Sequence, residues 1–222
     1  MDIPAIIQGV ALSALPVLIA ITFHEVSHGL IANKLGDPTA KMLGRLTLNP
    51  LAHIDIFGTI LMPLILLVFT NGQFVFGYAK PVPINPMNFK KPRQGMAISA
   101  VGGPVTNILL AVASIVIWKF IVIPASFFLP ESFAEKVLVP TTLMLGKSVQ
   151  WNVMLASFNL IPIPPLDGGR VVVGLLPQQQ AMSFSRIEPF GFLIVILLIA
   201  TGIANYFVMP LVKLFLSILG MI

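Results

Sequence analysis

The stretch from Ile3 to Ile31 is almost wholly apolar, yet it carries three ionisable side chains within one helical turn and a half, His24, Glu25 and His28. Roughly 20 helical residues cross the ~30 Å hydrocarbon layer of a bilayer, so the stretch is long enough to span it. A charged group at the centre of such a helix costs roughly 2.5 to 3.5 kcal/mol on insertion scales, and groups retained at that cost mark function. The stretch lacks a basic leader and a small-residue cleavage site, which argues against a removable signal peptide.

The rest of the chain fits the same solvent. Of its 222 residues 57% are hydrophobic and 9% charged, with a mean hydropathy of +0.97. A soluble domain is nearer half apolar and a quarter charged. The expectation is an integral membrane protein, one unit over residues 1–222 without a sizeable soluble domain. No cysteine is present, so disulfides, thiolate ligands and cysteine nucleophiles are excluded, and a metal must take His, Asp or Glu. The net charge of +5 reads as topology rather than nucleic-acid binding, because basic loops facing the cytoplasm produce the same balance.

Further spans are expected at Ile54 to Thr70, Ala97 to Ile123, Val137 to Leu160, Ile187 to Ala204 and Tyr206 to Ile222. The fold class is therefore a membrane all-α bundle of about five to six transmembrane segments. Lys34, Lys41 and Arg45 precede the second segment, and Lys80, Lys90, Lys91 and Arg93 follow it. Both groups belong on the cytoplasmic side by the positive-inside rule. Residues of about 54–86 must then enter the membrane and return, as a helix going in and an aromatic, β-branched strand, Gln73 to Tyr78, coming back. Pro81, Pro83 and Pro86 exclude a helix beyond it. Such a re-entrant β-hairpin survives only when buried in protein or lining a wet cavity. A complete crossing by residues 54–71 is the alternative. The hairpin topology places the N-terminus and Glu131 and Glu135 outside, and Arg170 and Arg186 inside.

His24-Glu25-Val26-Ser27-His28 is an H-E-x-x-H motif. Its histidines lie four residues apart and share a helix face, so both imidazoles reach one ion. Glu25, about 100° further round the helix, is placed to hold a water at the ion's open position. A catalytic zinc usually takes three protein ligands, and His53, Asp55 and Asp167 are the remaining candidates. Asp167 sits where Pro162, Pro164 and Pro165 break a helix and Gly168 and Gly169 permit close backbone approach. A metal ligand and a helix N-cap fit that position equally well. His53 and Asp55, at a membrane boundary, read as supporting or structural residues. Asn107, Asn152 and Asn159 are the polar residues of the third and fourth spans expected to face the site, Asn159 first for substrate contact and Asn107 next.

In order and spacing, HEVSHG at 24–29, LTLNPLAHIDIFGT at 46–59, FGYAKPVPINP at 76–86, GGPVTN at 102–107 and FNLIPIPPLDGGR at 158–170 resemble the site-2 protease family of intramembrane zinc metalloproteases, in its compact prokaryotic form without a PDZ domain. The resemblance covers nearly the whole chain. It implies that His24, His28 and Asp167 bind one zinc per chain and that Glu25 activates water. It further implies an endopeptidase cutting transmembrane helices of other proteins, in a prokaryotic cell membrane, with the unwound substrate captured by β-augmentation along a strand that includes Phe74, Val75, Phe76 and Gly77. A metal transporter would line a path across the bundle with ionisable groups, whereas these collect at one depth. A non-proteolytic scaffold would have lost the base or a ligand. Oligomeric state, substrate and cleavage position are not legible.

Overall fold

The computed structural model describes residues 3–69 and 77–221. Eight helices position the site: α1 (Ile3–Lys34), α2 (Ile56–Phe69), α3 (Pro92–Phe128), α4 (Val139–Asn159), α5 (Asp167–Leu175), α6 (Gln178–Ser185), α7 (Glu188–Ala200) and α8 (Ala204–Ile218). Pro92 opens α3 at its first turn, where the missing N–H would be unpaired anyway. Wider π turns at Ile56–Leu61, Trp118–Val122 and Ala134–Leu138 each stop just before a proline, Pro63, Pro124 or Pro140. A π turn gives the proline ring room that a tighter turn would deny it.

α3 is the central helix, packed against α1, α4 and α5, while α4 also meets α1 and α8. Ala111, Val149 and Val153 form a small apolar core between α3 and α4, closed by Val212, Phe215 and Leu216 of α8. Elsewhere the contact surfaces of α3 are narrow and partly polar. Gly102, Gly103, Ser99 and Asn107 are buried along it, which brings α1 close.

Among the described residues only α1 and α3 are both long and apolar enough to cross a membrane, three spans if the bent pair α6 and α7 counts as one. This is fewer than the five to six expected. α4 has the length but carries Lys147, Gln150 and Asn152, and α7 and α8 are short helices separated at Gly202, whose φ of +74° ends α7. Sequence hydropathy sees the two apolar runs and not how short a helix each forms.

No strand occurs among the described residues, and the strand expected at 73–78 lies outside them except for Gly77 and Tyr78. Described residues before and after that stretch pair with each other. Tyr78 N–H donates to the Gly58 carbonyl at 3.0 Å, Thr59 Oγ1 donates to the Tyr78 carbonyl at 2.8 Å, and Lys80 N–H donates to the His53 carbonyl at 3.0 Å. The chain leaves at Gly58 and comes back beside it. At 1.5 Å per residue α2 reaches about 21 Å, short of a ~30 Å crossing.

Candidate metal centre

His24 and His28 project from one face of α1, their rings edge to face with centroids 4.6 Å apart. Both are buried. His24 Nδ1 lies 2.6 Å from Asn107 Oδ1, and His28 Nδ1 lies 2.8 Å from the Ser99 carbonyl oxygen. The Ser99 carbonyl can only accept, so His28 Nδ1 carries the proton. Asn107 is oriented by its other atom, because Nδ2 donates to the Ala20 carbonyl at 3.2 Å and to Asn152 Oδ1 at 2.8 Å. Its oxygen therefore faces His24, whose Nδ1 must also donate. Each neutral imidazole then turns an unprotonated Nε2 inward.

The two Nε2 atoms are 3.1 Å apart, and Asp167 Oδ2 stands 3.2 Å from that of His24 and 3.3 Å from that of His28. Oδ2 is buried and receives no hydrogen bond. Three electron-pair donors thus converge where no proton lies between them, an arrangement that repels itself unless a cation neutralises it. Two imidazole nitrogens and a carboxylate oxygen suit zinc. Among the described residues this is the only group of three such side chains gathered within 4.8 Å.

The chain between α4 and α5 explains how Asp167 arrives there. Pro162, Pro164 and Pro165 forbid continuation of α4, the Pro164–Pro165 peptide is cis, and α5 begins at Asp167 itself. Its carboxylate caps no backbone N–H, which removes the N-cap alternative. Gly168 and Gly169 lie so close to the preceding turn that added Cβ atoms would sit 2.4 Å from the Leu160 carbonyl oxygen and 2.2 Å from the Pro164 nitrogen. On the opposite wall Gly103 of α3 faces the centre directly. A Cβ there would lie 2.4 Å from His24 Cε1 and 2.5 Å from His28 Nε2.

A cavity of about 460 Å³ opens onto this group, and Glu25 and Asn159 line it. Glu25 Oε2 accepts Val82 N–H at 2.9 Å. Val82 belongs to a segment without helix, residues 79–84, in which Pro81 and Pro83 favour extended backbone, and Ala79, Pro81, Val82 and Ile84 line the cavity. Asn159 gives one amide hydrogen to the Leu155 carbonyl at 3.0 Å, leaving the other and its oxygen toward the cavity. Tyr78 and Phe192 meet edge to face at 6.1 Å over one end.

Other expected residues are placed differently. Asn107 lies behind His24, fully buried, with both ends of its amide engaged, and is not among the residues that line the cavity. Asn152 supports Asn107 in turn and bonds Ser148. His53 donates from, or accepts at, Nε2 with the Thr47 carbonyl as its 2.9 Å neighbour, and since a carbonyl only accepts, Nε2 is the donor. Asp55 caps Gly58 N–H at 2.7 Å. Neither joins the metal group. Phe74, Val75 and Phe76 lie outside the described residues, and Gly77 packs on the Gly58 carbonyl and Pro63.

Asp37, just beyond the end of α1, is fully buried. Its Oδ1 accepts Thr39 N–H, Thr39 Oγ1 and Asn88 Nδ2, and its Oδ2 accepts Asn85 N–H at 2.7 Å. This staple fastens the end of α1 to the segment that continues from the cavity wall. The G-D-P-T sequence signals a turn but not its partners.

Two histidines and a carboxylate converging beside a glutamate, on a helix long and apolar enough to cross a membrane, form a centre of the metallohydrolase kind. Residues 131–202 match the model for Peptidase family M50. A Bacillus subtilis protein provisionally named zinc metalloprotease YwhC is 35% identical over 200 residues, which cover 88% of this chain and 83% of that protein. A Mycolicibacterium smegmatis protein provisionally named zinc metalloprotease Rip2 is 27% identical over 204 residues, covering 91% of this chain and 72% of that protein. No solved structure matches. The chain belongs to peptidase family M50, the zinc metalloprotease family of the site-2 proteases that its motifs resemble.

Proposed function

We propose that this protein is an intramembrane zinc endopeptidase that hydrolyses peptide bonds within transmembrane segments of other membrane proteins. The observation that carries the reading is the convergence of His24 Nε2, His28 Nε2 and Asp167 Oδ2 at 3.1 to 3.3 Å with Glu25 on the same cavity wall. His24, His28 and Asp167 hold one zinc per chain. Bound there, zinc supplies Lewis-acid polarisation of a carbonyl and an acidified water.

Glu25 takes the proton of the attacking water and passes it to the departing nitrogen. The Val82 N–H holds one of its carboxylate oxygens, which orients the other toward the cavity. Asn159 offers its free amide hydrogen to the carbonyl oxygen as charge develops on it. An unwound substrate lies along the wall of residues 79–84 and is captured there by β-augmentation. Residues 54–86 dip into the membrane and return to the side they left, which is supported by the pairing of Tyr78 with Gly58. The protein sits in a prokaryotic cell membrane with its N-terminus outside, as one domain in contact with lipid and substrate helices.

Zinc per chain, measured in detergent-purified protein after dialysis, tests the centre. About one zinc in the wild type, lost in Asp167→Ala, is the expected result. Glu25→Gln retains zinc and abolishes cleavage of a transmembrane peptide. Undiminished cleavage by that variant would refute the assigned base, and zinc retained by Asp167→Ala would refute the third ligand.

A further inference from the structure

Arg170 stands one helical turn beyond Asp167 on α5, in the wall between two cavities. The first holds the metal centre; the second, of about 410 Å³, is lined by Arg93, Ser185 and Glu188 among others. Ile84 and Arg170 border both. The guanidinium is half-buried, and among the described residues it has no hydrogen-bond or ion-pair partner.

The nearby groups account for why it is left over. Asp167 is three residues away on the same helix, a spacing that permits an ion pair, but its carboxylate is turned to the imidazoles. Glu25 is engaged by Val82 N–H. Glu188 shares the second cavity without coming within ion-pair distance, and Arg93 donates Nη1 to the Leu176 carbonyl at 3.0 Å. A guanidinium presents five N–H donors in a planar fork that matches a carboxylate in bidentate fashion. A cavity wall in which such a fork is left unpaired, the neighbouring carboxylates being turned to other partners or standing out of reach, is complementary to an anionic ligand.

Position along the groove fixes which part of a ligand reaches it. The extended wall passes the Glu25 carboxylate at Val82, and two residues further on Ile84 borders both cavities, as Arg170 does. Two extended residues advance about 7 Å. We infer that Arg170 forms a carboxylate-binding subsite for substrate, about two residues from the scissile bond. An Asp or Glu side chain at that position supplies the carboxylate. The inference rests on the endopeptidase reading.

The test uses transmembrane peptides that differ only in Glu or Gln at each position within three residues of the cut. The ratio of kcat/KM for Glu over Gln is compared between wild type, Arg170→Gln and Arg170→Lys. The wild type should favour Glu at one position by about tenfold, as expected for a charged hydrogen bond. That ratio should fall to about one in Arg170→Gln and stay intermediate in Arg170→Lys, which keeps the charge without the fork. A wild-type ratio near one at every position, or one unchanged in Arg170→Gln, overturns the subsite. Should the wild type cleave none of the peptides, the endopeptidase reading fails, and fluorescence anisotropy of the labelled pairs decides the subsite: tighter Glu binding that Arg170→Gln removes supports it, and equal binding overturns it.

Discussion

His24 Nδ1 and Asn107 Oδ1 lie 2.6 Å apart, and that single bond decides which ring nitrogen of His24 faces the metal centre. The bond is itself oriented from behind, because Asn152 Oδ1 accepts from Asn107 Nδ2 and Asn152 Nδ2 donates to the Ser148 carbonyl at 2.9 Å. A relay across α4, α3 and α1 thus presents Nε2 as a ligand. Partners of this kind usually change metal affinity by about 10 to 100-fold when removed. Asn107→Ala should weaken zinc by that factor, read by competition with a chelator, and Asn152→Ala should weaken it less because it acts through Asn107. Unchanged zinc affinity in Asn107→Ala would mean that the ring is held by packing alone.

Gly103 matters for the space it leaves. A methyl group there would lie 2.4 to 2.6 Å from His24 Cε1, His24 Nε2 and His28 Nε2. Gly103→Ala should therefore cost zinc occupancy while the protein remains helical by circular dichroism. Gly146 of α4 supplies the comparison, since nothing lies within 4 Å of its added Cβ. Gly146→Ala should retain zinc and raise stability by about 0.5 to 1 kcal/mol, the usual gain in a helix interior. Equal zinc loss in both variants would trace the effect to helix propensity and not to the centre.

The H-E-x-x-H pair was legible because helical spacing alone puts His24 and His28 on one face. Asp167 was legible only as one of several candidates, since the proline break that delivers it to the imidazoles reads equally well as a helix start. Asn107 was visible as a polar residue of a span, but its place behind His24 depends on how closely α3 approaches α1 at Gly102 and Gly103, which no one-dimensional pattern encodes. The span count failed for a related reason. Hydropathy registers apolar runs, whereas the helices within the last two runs, Glu188–Ala200 and Ala204–Ile218, are shorter than a full span, and Ser148 and Asn152 of α4 are matched by partners on α3. Asp37 was missed because its acceptors are satisfied by residues about 50 positions away.

Asp55 separates structural from metal-binding acids. Its carboxylate accepts Gly58 N–H at 2.7 Å and so caps the start of α2. Loss of a cap costs about 1 kcal/mol. Asp55→Ala should lower thermal stability in detergent by that order and leave zinc stoichiometry unaltered. Zinc lost from Asp55→Ala at matched folding would return the H-x-D pair to the list of ligands.

Asp37 gives the fold an acid-sensitive joint outside the membrane-spanning helices. Burial alone would raise its pKa, but hydrogen bonds from the Thr39 hydroxyl, Asn88 amide, Asn85 N–H and Thr39 N–H favour the charged form more strongly and hold it below the ordinary carboxylate value. The folded pKa is thus lower than the unfolded one of about 3.9. Its stabilisation is complete above the unfolded value and is lost as pH falls through the folded one. Asp37→Asn places an NH₂ group among donors and should destabilise the protein at neutral pH by about 1 to 3 kcal/mol. The difference between wild type and Asp37→Asn, followed by unfolding in detergent from pH 7 downward, should hold constant to about pH 4 and then shrink. Because Asp37 fastens the segment that also supplies Val82 to Glu25, the variant should lose activity before it loses zinc. A difference that grows toward low pH would show that the carboxylate is not held charged in the folded state.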